Sequence, residues 1–475
     1  MKSYKIKLLF LSSLLTFGLF SCSDDDNDTS DSNNDGIEYI QGSDLSKYSS
    51  GTEVMMQAFY WDVPEGGTWY DKINAKVSSW SSVGINKIWL PAPGKAASGG
   101  GSMGYDPYDY FDVGEFDQKG STETRFGSKS ELEALLKVIH DNKMTAIADI
   151  VINHNFGGDK EITPSHGEQY TKFNPKSGKF LRTYKDFVPF NGNSDEGETG
   201  FGENLDLSNT RVQNELWGST TSVAQFYKSL GYDGWRFDYV KGFKPERVKQ
   251  WNEATGNMFS VGEYFERGDI NKLKAWVEDS NSPAFDFVNL DNMEKAFDSQ
   301  RDLSYLTKNA LFKIYPSKAV TFVSNHDIDD RGLKESEYIA TRNKMLAYAF
   351  IMTHPGLPTV FYSDYEYKLD KNELNNLIKI NKSLAKGDYK ILFSNQYEYI
   401  MRREGDGTNP GLIIYINLTS NAKTHSVLSN WKSQKILDYS YHVKYTSEDQ
   451  VPTTDATGLA TLTCPGNSYT IWSVK

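Results

Sequence analysis

Arg236 and Asp238 lie two residues apart in the stretch Gly231-Tyr-Asp-Gly-Trp-Arg-Phe-Asp-Tyr-Val-Lys-Gly242. Its middle, Trp235 to Val240, is aromatic and β-branched and reads as a buried strand. Residues two apart on a strand share a face, so a cation and a carboxylate project together. A buried carboxylate is costly unless paired, and a neighbouring guanidinium favours its ionised form. The pair reads equally as a structural ion pair and as an ionised nucleophile with its counter-ion. Three other apolar runs end in ionisable residues: Asp149-Ile-Val-Ile-Asn153-His154, Gly262-Glu263-Tyr264 and Ser324-Asn325-His326-Asp327. Carboxylates and imidazoles without cysteine suggest glycosyl transfer. A retaining glycosidase needs an ionised carboxylate and a protonated carboxyl about 5–5.5 Å apart. Asp238 suits the first role. Glu263, one strand on at a spacing of about 4.7–4.9 Å, suits the second, because negative charge nearby raises its pKa. Asp327 then steadies the oxocarbenium-like charge, and His154 and His326 hydrogen-bond sugar hydroxyls.

These residues need a scaffold that delivers them to one rim. From Val54 onward, strand-length apolar runs alternate with helical patterns, eight of each. The expected strands are Val54–Trp61, Lys87–Pro91, Thr145–Asn153, Trp235–Val240, Phe259–Phe265, Phe285–Leu290, Val320–His326 and Thr359–Tyr362. The expected helices are Trp69–Val83, Ser128–Asn142, Thr210–Leu230, Pro245–Ala254, Ile270–Asp279, Met293–Lys308, Glu337–Met352 and Lys371–Leu384. Ser128 and Glu131 have capping-box spacing. Strand–helix alternation implies a parallel sheet with right-handed crossovers. Eight units predict an α/β fold, a (β/α)8 TIM barrel whose active site lies at the strand C-termini. Two connections are long, Gly94–Ser121 and Asn155–Ser208, and the second reads as a small protruding domain. Beyond Gly387 the pattern changes to short strands, Gln396–Arg403, Gly411–Leu418, Ile436–Val443 and Tyr469–Val474. These predict a C-terminal antiparallel β domain.

The chain is 475 residues long, with 51 Lys and Arg against 63 Asp and Glu. Its net charge of −12 argues against a nucleic-acid partner. An aromatic content of 14% suits stacking on flat uncharged ligands and equally suits a barrel core. The two cysteines, Cys22 and Cys464, exclude a disulfide framework. Lys2, Lys5 and Lys7 precede an apolar run from Leu8 to Phe20, the layout of a secretory signal. The run ends Leu19-Phe20-Ser21-Cys22, which resembles a bacterial lipoprotein cleavage box. The acidic stretch from Ser23 to Asp35 resembles the export tag of bacterial surface lipoproteins and reads as a tether. An ordinary cleaved signal peptide is the alternative. The expected divisions are a signal peptide at 1–21, a tether at 22–45 and a first barrel part at 46–154. A protruding domain at 155–208, a second barrel part at 209–386 and the β domain at 387–475 follow. Asn153 and Asp206 are hard oxygen donors, and a carbonyl near Gly242 adds a third. The set suits Ca²⁺ rather than zinc, while Asn153 reads equally as a turn residue.

Four segments, Asp149–His154, Gly234–Gly242, Val261–Tyr264 and Phe322–Asp327, resemble in order and spacing the signature regions of the α-amylase family, glycoside hydrolase family 13. Gln57-Ala-Phe-Tyr-Trp61, Gly104-Tyr-Asp-Pro-Tyr-Asp-Tyr110 and Lys318-Ala-Val-Thr-Phe322 look most like the plant and archaeal members. The resemblance implies Asp238 as nucleophile, Glu263 as acid/base and Asp327 as transition-state stabiliser. It implies sugar contacts at Arg236, His154 and His326, stacking by Tyr105, and a leaving-group contact at Lys241. It implies calcium at Asn153, Asp206 and the carbonyl of Gly242, with Asp195 as a further ligand. The expectation is a monomeric, endo-acting, retaining hydrolase of α-1,4-glucans. It is secreted or held at the cell surface by a lipid on Cys22, its only membrane contact. The rivals are a transglycosylase of the same family and a catalytically silent glucan-binding protein.

Overall fold

Short runs of β-branched and aromatic residues buried on both faces have nowhere to go but the inside of a closed sheet. The computed structural model of the chain, which describes residues 38–164, 167–188, 197, 201–329 and 337–475, shows that closure. The strands are β1 (Met55–Gln57), β2 (Lys87–Trp89), β3 (Thr145–Ile150), β4 (Gly234–Phe237), β5 (Phe259–Gly262), β6 (Ala284–Phe285), β7 (Ala319–Phe322) and β8 (Leu357–Phe361). They form a closed barrel in chain order, with β8 returning to β1. Every pairing is parallel. The helices of eight residues or more are α1 (Trp69–Val83), α2 (Lys129–Asp141), α3 (Val223–Leu230), α4 (Pro245–Thr255), α5 (Ile270–Ser280), α6 (Phe287–Glu294), α7 (Thr341–Thr353) and α8 (Lys371–Leu384). Residues Ile40–Lys475 form one compact unit.

Local chemistry explains several boundaries. The Glu131 amide donates to Ser128 Oγ, and the Ser128 amide donates to Glu131 Oε2, so both ends of the capping box satisfy orphan groups at the start of α2. Gly262 closes β5 because a Cβ there would lie 2.1 Å from Trp276 Cη2 on α5. Bare backbone at this position lets the helix pack directly onto the strand that delivers Glu263.

Three expectations need correction. The run Phe285–Leu290 is not one strand: β6 stops at Phe285, and α6 begins at Phe287. Asp286 makes the break by accepting the Asn289 amide as an N-cap. Met293–Lys308 is not one helix, because α6 passes through a wide turn at Lys295–Ser299 and ends before a short helical segment at Leu303–Thr307. Thr210–Leu230 is likewise interrupted, with a wide turn at Asn214–Gly218 and Ser222 capping a fresh start at α3.

Beyond α8, β9 (Tyr389–Ser394), β10 (Glu398–Arg403), β11 (Leu412–Asn417), β12 (Lys423–Leu428), β13 (Ile436–Asp438), β14 (Leu459–Cys464) and β15 (Ser468–Val474) are antiparallel. Five form a sheet ordered β9-β10-β11-β15-β13, and β12 pairs with β14. The excursion after β3 contains a hairpin of Asp159–Thr163 and Gly167–Lys172 and a clasp of His154–Asn155 with Glu203–Asn204. Among the described residues no helix is long and apolar enough to cross a membrane.

Candidate active site

Strand β4 points Arg236 inward, fully buried. Its Nη1 donates to Asp149 Oδ1 on β3 at 2.8 Å and to Asp238 Oδ1, just past β4, at 2.8 Å. Its Nη2 lies 2.8 Å from Glu263 Oε2, just past β5, an ionic contact without hydrogen-bond alignment. One guanidinium therefore ties together carboxylates from three successive strands. The remaining oxygen of Asp149 accepts from Trp89 Nε1 at 3.1 Å and from the Tyr105 hydroxyl at 2.8 Å. Glu263 Oε2 also accepts the Tyr239 amide at 3.2 Å. Tyr239 makes this possible by adopting left-handed backbone geometry, with φ of 44°.

The electrostatics separate the carboxyls. Burial pushes the Glu263 carboxyl well above the usual range; Arg236 opposes the shift, while Asp238 and Asp327 reinforce it. Burial also raises Asp149, with Arg236 opposing. Burial alone would lower Arg236, but Asp149, Glu263 and Asp238 outweigh it and hold the guanidinium firmly charged. Around one buried cation stand three carboxyl groups, and Glu263 is where the excess favours a bound proton.

A cleft of about 450 Å³ opens above this cluster. Its walls include Asp238, Glu263, Asp327, Tyr105, His154, Lys241 and His326. The His326 ring lies parallel to Tyr105 at 5.2 Å and to Trp61 at 6.1 Å, giving a flat floor. Its Nδ1 meets Gln57 Nε2 at 2.8 Å, and its Nε2 lies 3.4 Å from Asp327 Oδ2. His154 Nε2 lies 3.0 Å from the Tyr105 carbonyl. Lys241 reaches Glu266 at 3.4 Å. Arg236 departs from expectation: it lies beneath the cleft, wholly enclosed by carboxylates, and offers no surface to a sugar. Sequence reasoning gave no role to Asp149, Trp61, Phe201, Tyr239 and Phe265. Asp149 faces Arg236, and the four aromatics line the cleft. Trp61 follows β1 at the same rim and was open to the strand-end argument, whereas Phe201 sits in a long loop with no pattern to flag it.

The expected metal ligands also converge in part. A Cβ on Gly242 would lie 2.2 Å from Asn153 Oδ1, so the buried amide oxygen faces that backbone directly. The Asn153 carbonyl accepts the Leu205 amide at 3.0 Å, which brings Asp206 to the same corner. Asp206 Oδ1 accepts from the Ser208 amide at 3.0 Å. A Cβ on Gly197 would lie 2.3 Å from the Lys241 carbonyl, so Gly197 also lies here. Asp195 and Cys22 lie outside the described residues. Among the described residues no three His, Cys, Asp or Glu side chains gather as a metal site. The residues brought near Asn153 carry an amide, one carboxylate and main-chain carbonyls, hard oxygen donors of the kind that fit calcium.

Residues 412–473 match the family model described as "Alpha-amylase C-terminal". The α-amylase of Geobacillus stearothermophilus is 31% identical over 426 residues, covering 75% of this chain and 76% of that protein. This chain belongs to the α-amylase family. The cytoplasmic α-amylase of Escherichia coli K12 is 28% identical over 498 residues, covering 89% of this α-amylase homologue and 99% of its relative. The crystal structure of the α-amylase from Geobacillus thermoleovorans complexed with acarbose superposes with a TM-score of 0.66. It covers 89% of this chain and 98% of that one at 16% identity, a likeness of fold.

Proposed function

We propose that the protein is an endo-acting, retaining hydrolase of α-1,4-glucosidic bonds in starch, glycogen and maltodextrins. One observation carries the reading: Asp238 and Glu263 are held by the two arms of one buried guanidinium at the floor of an aromatic-walled cleft. A retaining mechanism asks for two carboxyls about 5–5.5 Å apart, and a shared guanidinium keeps them close. Glu263, kept protonated, gives its proton to the glucosidic oxygen as the bond to the anomeric carbon breaks. Asp238, with Arg236 as counter-ion, attacks that carbon and forms the glycosyl ester. Glu263, now ionised, takes a proton from water, and the resulting hydroxide equivalent cleaves the ester. Asp327, half-exposed beside His326, faces the positive charge that develops on the ring. Tyr105 and His326 supply flat surface for the sugar, His154 supplies an imidazole, and Lys241 lies toward the leaving-group side. Every one of these groups comes from a single chain, so the reading requires no second copy.

Asn153, Asp206 and the Gly242 carbonyl would hold calcium, with Asp195 as a further ligand. The ion would clamp the excursion at 155–208 onto the barrel parts at 46–154 and 209–386. Residues 1–21 act as a lipoprotein signal, which makes the enzyme a secreted or surface-held one, and the expected tether from Cys22 ends where the compact unit begins at Ile40 rather than at 45. The lysines before the apolar run and the acidic stretch after Cys22 support that reading.

The deciding experiment is a product profile on soluble starch and on maltoheptaose. Early release of mixed short oligosaccharides with rising reducing ends is expected. Products longer than maltoheptaose would instead mark a transglycosylase, and no product at all would leave a binding protein.

A further inference from the structure

Lys95 is completely buried, yet it is not paired in the usual way with one carboxylate. Its Nζ lies 2.9 Å from the Ser121 carbonyl oxygen, 2.5 Å from that of Thr122, 3.2 Å from that of Glu123 and 3.4 Å from that of Phe116. Asp112 Oδ2 completes the shell at 3.6 Å. An ammonium has three protons, so five surrounding oxygens exceed its directed hydrogen bonds. Main-chain carbonyls with one carboxylate, converging on a point of positive charge, are the ligand set of a hard cation. Asp112 is itself locked, its Oδ1 accepting the amides of Gly114, Glu115 and Phe116 and its Oδ2 the Gln118 side chain.

The cage sits at the base of a hairpin. Lys95–Ala96 pairs antiparallel with Pro107–Asp109, and the Lys95 amide donates to the Asp112 carbonyl at 2.7 Å. Tyr105 rides on that hairpin, two residues before Pro107, and places its hydroxyl on Asp149 and its ring beside His326. Asp109, opposite Lys95, also accepts from Gln118 and from Ser177 of the excursion after β3. One ammonium thus neutralises the inward carbonyls of Phe116, Ser121, Thr122 and Glu123 at the point where three loop segments meet.

We infer that Lys95 is a positioning residue acting as a tethered cation: its ammonium fills an oxygen cage that otherwise takes a free monovalent cation, and so sets the hairpin that carries Tyr105. The link to sugar stacking rests on the reading of the cleft given above; the cage itself does not.

The test uses the full chain with Lys95→Ala, calcium held constant in every arm, and salts matched in ionic strength. Tetramethylammonium is too large for the cage, whereas ammonium and potassium fit. In tetramethylammonium chloride the variant is expected to melt below wild type and to show a raised KM for maltoheptaose with kcat changed less. Ammonium or potassium should raise the variant's Tm saturably and restore KM over the same concentrations, leaving wild type unmoved. If the variant fails to fold in tetramethylammonium, the yield of refolded protein in ammonium against tetramethylammonium is the readout. Equal behaviour in all three salts, or a variant that melts with wild type, overturns the inference. The melting arm needs no substrate, so wild type inactive on maltoheptaose would defeat the glucan reading while leaving the cage to stand or fall by its own melt.

Discussion

Two buried cations anchor opposite sides of the barrel mouth, and their surroundings differ in one respect. Lys344 on α7 lies 2.6 Å from Asp364 Oδ1 and 3.7 Å from Asp329 Oδ1, and Lys368 also bonds Asp329. Ser324 and Tyr348 both donate to Asp364 Oδ2. Among the described residues, two lysines meet two aspartates, one positive charge to each negative one. Around Arg236 stand Asp149, Asp238 and Glu263, three carboxyl groups to one guanidinium among the described residues. The cluster around Lys344 serves position: Ser324, which bonds Asp364, leads directly into Asn325-His326-Asp327. Burial within the cluster that has an excess of carboxyls holds Glu263 well above the usual range, which is what an acid catalyst requires. Similar burial and similar residue types thus yield a prop in one place and the proposed reactive centre in the other.

That contrast can be broken from either side. The largest effect is expected at the reactive cluster: Asp238→Asn keeps shape but removes the attacking anion, so kcat on starch should fall by several orders of magnitude while starch binding persists. Turnover near that of wild type would remove Asp238 from the chemistry. At the balanced cluster, Lys344→Met leaves Asp364 buried without its cation. It should cost about 3–5 kcal/mol of stability by denaturant melt, with kcat of the folded fraction little altered. A variant as stable as wild type would show that the lysine is no prop. The proposed calcium is a third cation, and a removable one. Saturating it at a hundredfold excess over Kd stabilises by about 2.7 kcal/mol, so chelation should lower Tm accordingly. An unchanged melt would empty the corner at Asn153 of its proposed role. The smallest effect sharpens the comparison most. Because the charge of Asp238 helps hold Glu263 above the usual range, Asp238→Asn should move the Glu263 titration, followed by carboxyl infrared bands, to lower pH. The sign follows from the loss of a like charge, which makes ionisation easier. The same raised pKa places the loss of wild-type activity on the alkaline side, as Glu263 gives up its proton.

Much of this was legible in the sequence, for physical reasons. The strand-end carboxyls were visible because charged residues at the end of an apolar run are costly without a task. The capping box marked α2 to within a residue because two side chains must serve two amides at fixed spacing. The break at Asp286 was not legible, because Phe285–Leu290 is buried on all sides and carries no period to separate strand from helix. Arg236 was legible as the counter-ion of Asp238, but not as a residue closed off from sugar: a sequence shows that an arginine neighbours a carboxylate, not that three carboxylates enclose it. Lys95 gave no signal at all, since its partners are backbone carbonyls, which every residue possesses. Phe201 reached the cleft from a loop without pattern, where only the folded chain shows what faces what.

The central claim is that Asp238 and then water displace at one anomeric carbon, with Glu263 moving the proton in each step. Proton NMR of the first products released from a maltooligosaccharide, recorded before mutarotation, tests it most directly. Two displacements at that carbon predict the α-anomer at the new reducing end. Initial release of the β-anomer would mean a single displacement by water and would contradict the account.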